Sequence, residues 1–221
     1  MKRIFFWSLL VAIAVVSCKP DDPNDVGTDL GYDYYPYQRI GSKWIYAVDS
    51  LVYDDNSGST QVDTFRYQYM EEVGSEFTDD AGITNYQILR YYKFADSLPW
   101  VQVNAAVSQR NSLRAERVDE NVRTVKLVFP PTEGKRWNGN MFNANSPLTY
   151  RIQWYEQPYY LYDQTIYVEQ IKENNFIDTI NRYEVYARNI GLVWFFSDSI
   201  NTQETGSRGY RFTYRLMTHI P

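Results

Sequence analysis

Reactive side chains are scarce in this chain, and their positions limit the chemistry open to it. Of 221 residues, one is a cysteine, Cys18, and one is a histidine, His219. A cysteine can serve as nucleophile, metal ligand, disulfide partner or acylation site. With no second cysteine, an intrachain disulfide and a multi-thiolate metal site are both ruled out. His219 lies near the C-terminal end of the sequence with no ligand-type neighbours, so Ser-His-Asp catalysis, Cys-His catalysis and a histidine metal centre all lack a base to build on. No Gly-x-Ser-x-Gly, phosphate-binding loop or dinucleotide fingerprint occurs. Asp54-Asp55-Asn56-Ser57-Gly58 is oxygen-rich, but it lacks the downstream glutamate of an EF-hand and reads as a hairpin turn. Two carboxylates for glycoside hydrolysis could meet from anywhere in a fold. Asp49, Glu71, Glu116, Glu156, Glu169 and Glu184 fall within predicted strands, where each reads as a solvated strand-face charge. No catalytic residue, metal or cofactor is assigned, and a non-enzyme is expected.

Cys18 has a more specific context. Lys2 and Arg3 precede an apolar run from Ile4 to Val16, interrupted only by Ser8. A basic start followed by an apolar core of this length is a secretory signal pattern. The run is too short to cross the hydrocarbon core, which needs about 20 helical residues. Val15-Val16-Ser17-Cys18 resembles the lipobox of bacterial lipoproteins. The resemblance implies cleavage between Ser17 and Cys18, acylation of Cys18 with palmitate-type chains, and anchoring in the outer membrane. One acyl chain holds only weakly and several hold firmly, so no other anchor is required. Lys19 to Asp33 carries five Asp, two Pro and two Gly, a composition unable to bury a core and expected to form an acidic, disordered tether over residues 18–33. Extended, it would reach about 50 Å. Its acidic run resembles the surface-export signal of Bacteroidetes lipoproteins.

Without residues 1–17 the chain keeps 20 Lys and Arg against 27 Asp and Glu, so its formal charge moves from −5 to −7. Nucleic acid is therefore not an expected partner. Twenty-one Tyr, 11 Phe and 6 Trp suit half-buried pleated surfaces with hydroxyls reaching water. They could equally line a pocket for a small apolar ligand or form an exposed platform for a glycan or an envelope protein.

From Tyr34 onward the pattern has a period of two. Phe65, Tyr67 and Tyr69 fall on one face; so do Tyr150, Ile152 and Trp154, and Phe212, Tyr214 and Leu216, as half-buried antiparallel strands require. Turn signals lie at residues 55–58, 79–82, 119–121, 173–175 and 188–191. The pattern predicts about ten strands: 43–54, 61–73, 83–96, 100–109, 112–118, 122–129, 148–156, 164–173, 176–187 and 191–200, with 209–219 as an eleventh. So many strands should curl into a barrel, a half-barrel or a two-sheet sandwich. Residues 34–221 are read as a single all-β domain, with at most a helical turn near 75–79 or 157–162.

Tyr35-Pro36 is followed by Gly41 and Trp44, Phe129-Pro130 by Gly134 and Trp137, and Tyr186-Ala187 by Gly191-Leu192-Val193-Trp194. Proline, a permissive glycine and a locking tryptophan make corner devices. These segments resemble a family of uncharacterised Bacteroidetes envelope lipoproteins over most of residues 34–200; the resemblance implies compartment and origin but supplies no ligand or catalytic residue. Asp followed by Ser or Thr and an aliphatic residue occurs at Ser50, Ser97, Thr179 and Ser199. The tripeptide resembles the O-glycosylation acceptor of exported Bacteroidetes proteins, and also suits ordinary strand-edge composition. The sequence therefore predicts a lipid-anchored envelope protein whose β domain is a non-catalytic small-ligand-binding module. A surface interaction module is the alternative, and a glycosidase a distant third.

Overall fold

A computed structural model describes residues 29–56 and 58–221. Ser17, Cys18 and the rest of the expected signal segment and lipid-attachment site lie outside the described residues. The strands are β1 (Lys43–Asp54), β2 (Gln61–Thr78), β3 (Thr84–Lys93), β4 (Val101–Arg110), β5 (Arg114–Asp119) and β6 (Val122–Val128). They continue as β7 (Arg136–Asn138), β8 (Thr149–Tyr159), β9 (Tyr162–Asn174), β10 (Asp178–Ala187), β11 (Gly191–Gln203) and β12 (Gly206–Ile220). All twelve form one antiparallel sheet in the order 6-5-4-3-2-1-12-11-10-9-8-7. Each strand pairs with its sequence neighbour except at two places: β1 closes on β12, while β6 and β7 form the two ends of the sheet. The domain is all-β, as the alternation requires, and the sheet curls into a nearly closed barrel.

The two ends meet at a seam held by few bonds. The Val125 N–H donates to the Gly139 carbonyl at 2.9 Å, and the Trp137 indole N–H donates to the Val125 carbonyl at 2.9 Å. Asn143 Nδ2 donates to the Arg123 carbonyl at 2.7 Å. Side chains and single backbone bonds thereby satisfy edges that would otherwise template further strand pairing. Gly139 is required at this seam because a Cβ there would fall 2.5 Å from the Tyr150 ring.

One end of the barrel is stoppered by the segment before β1. Tyr32–Tyr34 forms a single 3₁₀ turn, and Tyr34, Tyr35 and Tyr37 are buried. Tyr35 packs on Tyr37, which packs on Trp44, with centroids 4.8 and 4.4 Å apart. Hydrogen bonds fix the stopper from three sides. The Tyr35 hydroxyl donates to the Glu116 carbonyl at 3.2 Å, and the Leu192 N–H donates to the Tyr37 hydroxyl at 3.1 Å. Arg110 Nη1 donates to the carbonyls of Tyr32 and Tyr35 at 2.6 and 3.2 Å. Asp29 and Asp33 both pair with Arg188, so ordered structure begins before the expected boundary at Tyr34.

The corner devices work as their composition suggests. Gly41, Gly134 and Gly191 adopt φ of 87°, 79° and 91°, a region that glycine enters without steric cost. In two of them the freed N–H reaches a neighbouring segment: Gly41 to the Val73 carbonyl at 2.7 Å and Gly134 to the Ile152 carbonyl at 2.8 Å. Turns fall at four of the five predicted places, and the fifth, expected at 173–175, lies just beyond at 175–178. At 119–122 both central residues, Glu120 and Asn121, have positive φ, which is the two-residue hairpin turn suited to strand twist.

The strand count fits the expected architecture, and one facing needs correction. The segments near 75–79 and 157–162, allowed at most a helical turn, hold no helix: β2 runs to Thr78 and β8 to Tyr159. A twelfth strand, β7, has only three residues, too few for periodicity to register. Trp154 does not share a face with Tyr150 and Ile152. A bulge between Ile152 and Trp154 inserts Gln153, and one extra residue reverses the facing of the side chains that follow, as far as the next bulge after Tyr155.

Candidate functional site

The inward register of the barrel carries charges where a solid core would carry only apolar groups. Along β2, Tyr67 and Tyr69 are followed at the same spacing by Glu71 and Val73; along β10, Arg182 and Glu184 precede Tyr186. Arg90 on β3, Arg117 and Asp119 on β5 and Lys126 on β6 complete the set. Burial of an ion is costly unless it is paired, and all of these ions except Arg182 are paired. Glu71 is held by Arg117 and, at 3.2 Å, by Arg90. Arg90 also reaches Asp119, and Lys126 pairs with Glu184. Tyrosine hydroxyls supply further donors: Tyr69 to Glu71 at 2.8 Å and Tyr186 to Glu184 at 2.6 Å. Arg117 also lies over the face of Tyr37, 5.1 Å from its centroid, a favourable cation–π placement.

Two chambers open within this interior. The lower, of about 240 Å³, lies against the stopper and is lined by Tyr35, Tyr37, Tyr46, Glu71, Arg117 and Tyr186, among others. The upper, of about 310 Å³, is lined by Tyr150, Gln170, Arg182, Tyr210 and Phe212. Asp119, Lys126, Glu184 and Phe195 line both, so the chambers share a wall. Pockets for small molecules run to roughly 300–1,000 Å³; this one sits at the low end and is more polar than the apolar cavity expected.

Burial and pairing set the protonation states. Burial alone would raise the Glu71 carboxyl, but the guanidiniums of Arg117 and Arg90 and the Tyr69 hydroxyl outweigh it and hold the group below its ordinary value. Burial pushes the Tyr35 phenol up to about 12, and those of Tyr37, Tyr46, Tyr69 and Tyr186 upward as well. The interior therefore presents an ionised Glu71 and neutral phenols at neutral pH. Among the buried donors without a partner, two line the chambers, Arg117 Nη1 and Gln170 Nε2, where nearly all such groups in native folds find one.

The outer face of the same wall carries an aromatic row. Trp154, Tyr167, Tyr183 and Phe196 follow one another across β8 to β11 at centroid separations of 4.2, 4.6 and 5.2 Å. Arg211 of β12 covers Phe196 at 5.8 Å. Beside the row, Tyr160 stacks on Trp194 at 5.3 Å and Leu161 projects almost fully exposed, bordering an outer cleft of about 300 Å³.

The six acidic residues singled out in the sequence separate clearly. Glu71 and Glu184 face the interior, and Glu116 is buried between Arg114 and Arg123, so these three are not solvated strand-face charges. Asp49, Glu156 and Glu169 are not buried. Asp49 is paired with Arg66 and Arg215, and Glu156 with Arg188. Of the hydroxyl positions, Ser97 is exposed in the loop after β3, Thr179 and Ser199 are half-buried in strands, and Ser50 is buried. His219 stacks on Trp44 at 5.0 Å. Asp54 accepts from the Asn56 backbone N–H at 2.9 Å, as a turn residue does. Arg90, Arg117, Lys126 and Gln170 were not singled out in the sequence; their signal was a polar residue occurring in the apolar register.

The chain matches no protein-family model, no curated protein and no solved structure. The chemistry of the interior and of the outer aromatic row is what bears on function.

Proposed function

We infer that this protein is a lipid-anchored envelope lipoprotein, held at the outer membrane through Cys18, whose barrel is a non-catalytic module for a small ligand. The observation that carries the reading is the stoppered interior. A side-chain-lined cavity of about 240 and 310 Å³ is surrounded by fixed charges and phenols, the few placed polar groups among aromatic walls that small-ligand sites use. A non-catalytic role is supported by the acids themselves. Glu71 and Glu184 are each engaged by a cation, and Glu71 is held ionised, whereas a glycosidase acid needs a raised pKa. Native mass spectrometry of the protein from its own cells tests this. A small-molecule adduct that leaves on unfolding is expected; lipidated polypeptide alone would refute it. The anchor is tested separately, since Cys18→Ser should abolish labelling with radioactive palmitate.

A second reading rests on the outer aromatic row. Four successive rings beside an exposed Tyr160 and Leu161 form the kind of patch that marks an interaction surface, for a glycan or an envelope protein. Tyr183→Ala should weaken such binding in a glycan-array or pull-down measurement while leaving the interior cavity unchanged.

A further inference from the structure

The charges of the barrel interior do not balance, and the imbalance is local. Glu71, Asp119 and Glu184 are matched by Arg90, Arg117 and Lys126. Arg182 also lines the upper chamber, and among the described residues no carboxylate pairs with it. Its contact there is a hydrogen bond from Nε to Ser197 Oγ at 3.4 Å, at the long limit of such bonds. A guanidinium has five donors in a fixed fork and matches a carboxylate with two parallel bonds. Most of that capacity is unused.

A second observation in the same chamber is independent of charge. Gln170 is 2% exposed, lines the upper chamber, and its Nε2 has no hydrogen-bond partner. It is also the extra residue of a bulge. Arg182 opposes Ile171 and Tyr183 opposes Glu169, so the β9–β10 register skips Gln170. Bulges recur beside functional sites, and here the unsatisfied amide, inward by alternation with Ile166 and Val168, lies in the chamber that holds the unmatched arginine. A buried donor without a partner is costly, and a ligand acceptor relieves that cost.

We propose that the upper chamber is a site for a small organic carboxylate, whose anionic head is held by Arg182 and the Gln170 amide while an apolar body lies against Tyr150, Phe195 and Phe212. This deepens the ligand-module reading and rests on it. The net interior charge of +1, four cations against three carboxylates, sets the valence. One carboxylate neutralises it, whereas a phosphate monoester would overcompensate beside Asp119 and Glu184. The aromatic walls set the body as planar or aliphatic.

The test uses the purified full chain with 2-naphthoate and its neutral counterpart 2-naphthamide, followed by titration calorimetry. Naphthoate is expected to bind at least tenfold more tightly than the amide, and Arg182→Gln to bring the two within about twofold of each other. Arg182→Lys, which keeps the charge but loses the fork, should retain part of the preference. If the two probes bind equally to the unaltered protein, the carboxylate assignment is overturned and the cavity reading survives. If neither binds, both are overturned. Because the decisive comparison is between two ligands on the unaltered chain, it does not depend on a variant folding.

Discussion

Replacing Glu71 by glutamine removes the negative charge at the centre of the interior ion network and little else. Glutamine keeps an oxygen to accept from the Tyr69 hydroxyl, now 2.8 Å from the carboxylate, and its volume is nearly the same. What is lost is the counter-charge to two guanidiniums. Arg90 retains Asp119, but Arg117, 7% exposed, loses its carboxylate partner and keeps only the face of Tyr37. Removing one member of a buried pair costs about 3–5 kcal/mol, because the remaining charge is stranded. For a domain whose total stability is about 5–15 kcal/mol, that is a large share. At this chain length it corresponds to a melting point lower by about 6–20 °C. Urea unfolding of Glu71→Gln against the parent measures it, with Arg66→Ala as the control. Arg66 pairs with Asp49 at the surface, and its loss should cost under about 1 kcal/mol. The pH dependence gives a second readout. The Glu71 carboxyl is depressed in the folded state, so its contribution is present above the unfolded carboxylate value and is lost as pH falls through the folded one. The variant should lack that acid-side loss. A penalty no larger than that of the Arg66 control would show that water in the chambers solvates Arg117, and would refute the treatment of the network as buried.

Other consequences arise from the seam, the termini and the surface. Gly139→Ala places a Cβ 2.5 Å from the Tyr150 ring and should destabilise by about 1–3 kcal/mol in urea unfolding, with Tyr150→Leu in the same chain recovering at least half. Trp137→Phe leaves the buried Val125 carbonyl without its indole donor. It should cost about 1–3 kcal/mol and speed amide exchange selectively in β6. His219, stacked on Trp44, has its pKa lowered by burial. Its contribution is present above the unfolded histidine value of about 6.5 and lost as pH falls through the folded one, so His219→Phe should flatten the stability profile on the acid side of neutrality. If the Asp-Ser/Thr tripeptides are glycosylated in the native host, peptide mass mapping should find the sugar on exposed Ser97 and not on Ser50, which the fold buries.

Much of the architecture was legible because it rests on local chemistry. Alternation in Phe65 to Val73 and in Tyr210 to Leu216, with Asx-Gly turns between runs, specifies antiparallel strands without reference to distant contacts. What escaped detection depended on long-range register. Closure of β1 on β12 joins residues such as Val48 and Tyr214, and nothing at either position announces the other. The Gln153 and Gln170 bulges are invisible to a period-two pattern until the partner strand is known, yet they reset the facing of the residues that follow, Trp154 in β8 among them. The ion network was half-legible. Glu71 and Glu184 stood in the same register as buried tyrosines, and a charge at such a position implies a hidden counter-charge, but not that Arg117 and Lys126 supply it from β5 and β6.

The barrel's asymmetry explains why an arginine is left unmatched in one chamber and not in the other. The lower chamber is closed by the Tyr35–Tyr37 stopper, where a stranded cation would face a dry wall, and there each charge has a protein partner. The upper chamber lies beside the short β5–β6 hairpin, with Asp119 and Thr124 in its lining. β5 and β6 have six and seven residues against twelve and eighteen in β1 and β2, and their hairpin ends at Asp119, on the chamber's own lining. A half-buried Arg182 beside that short hairpin keeps access to water when the chamber holds no ligand, so the desolvation cost that forces pairing below is reduced above. When a ligand enters and displaces that water, the guanidinium loses its solvent, and only an anionic ligand replaces what is lost. A neutral ligand of the same shape would strand the charge, so selection against it is built into the position of Arg182 before any contact with the apolar body is made.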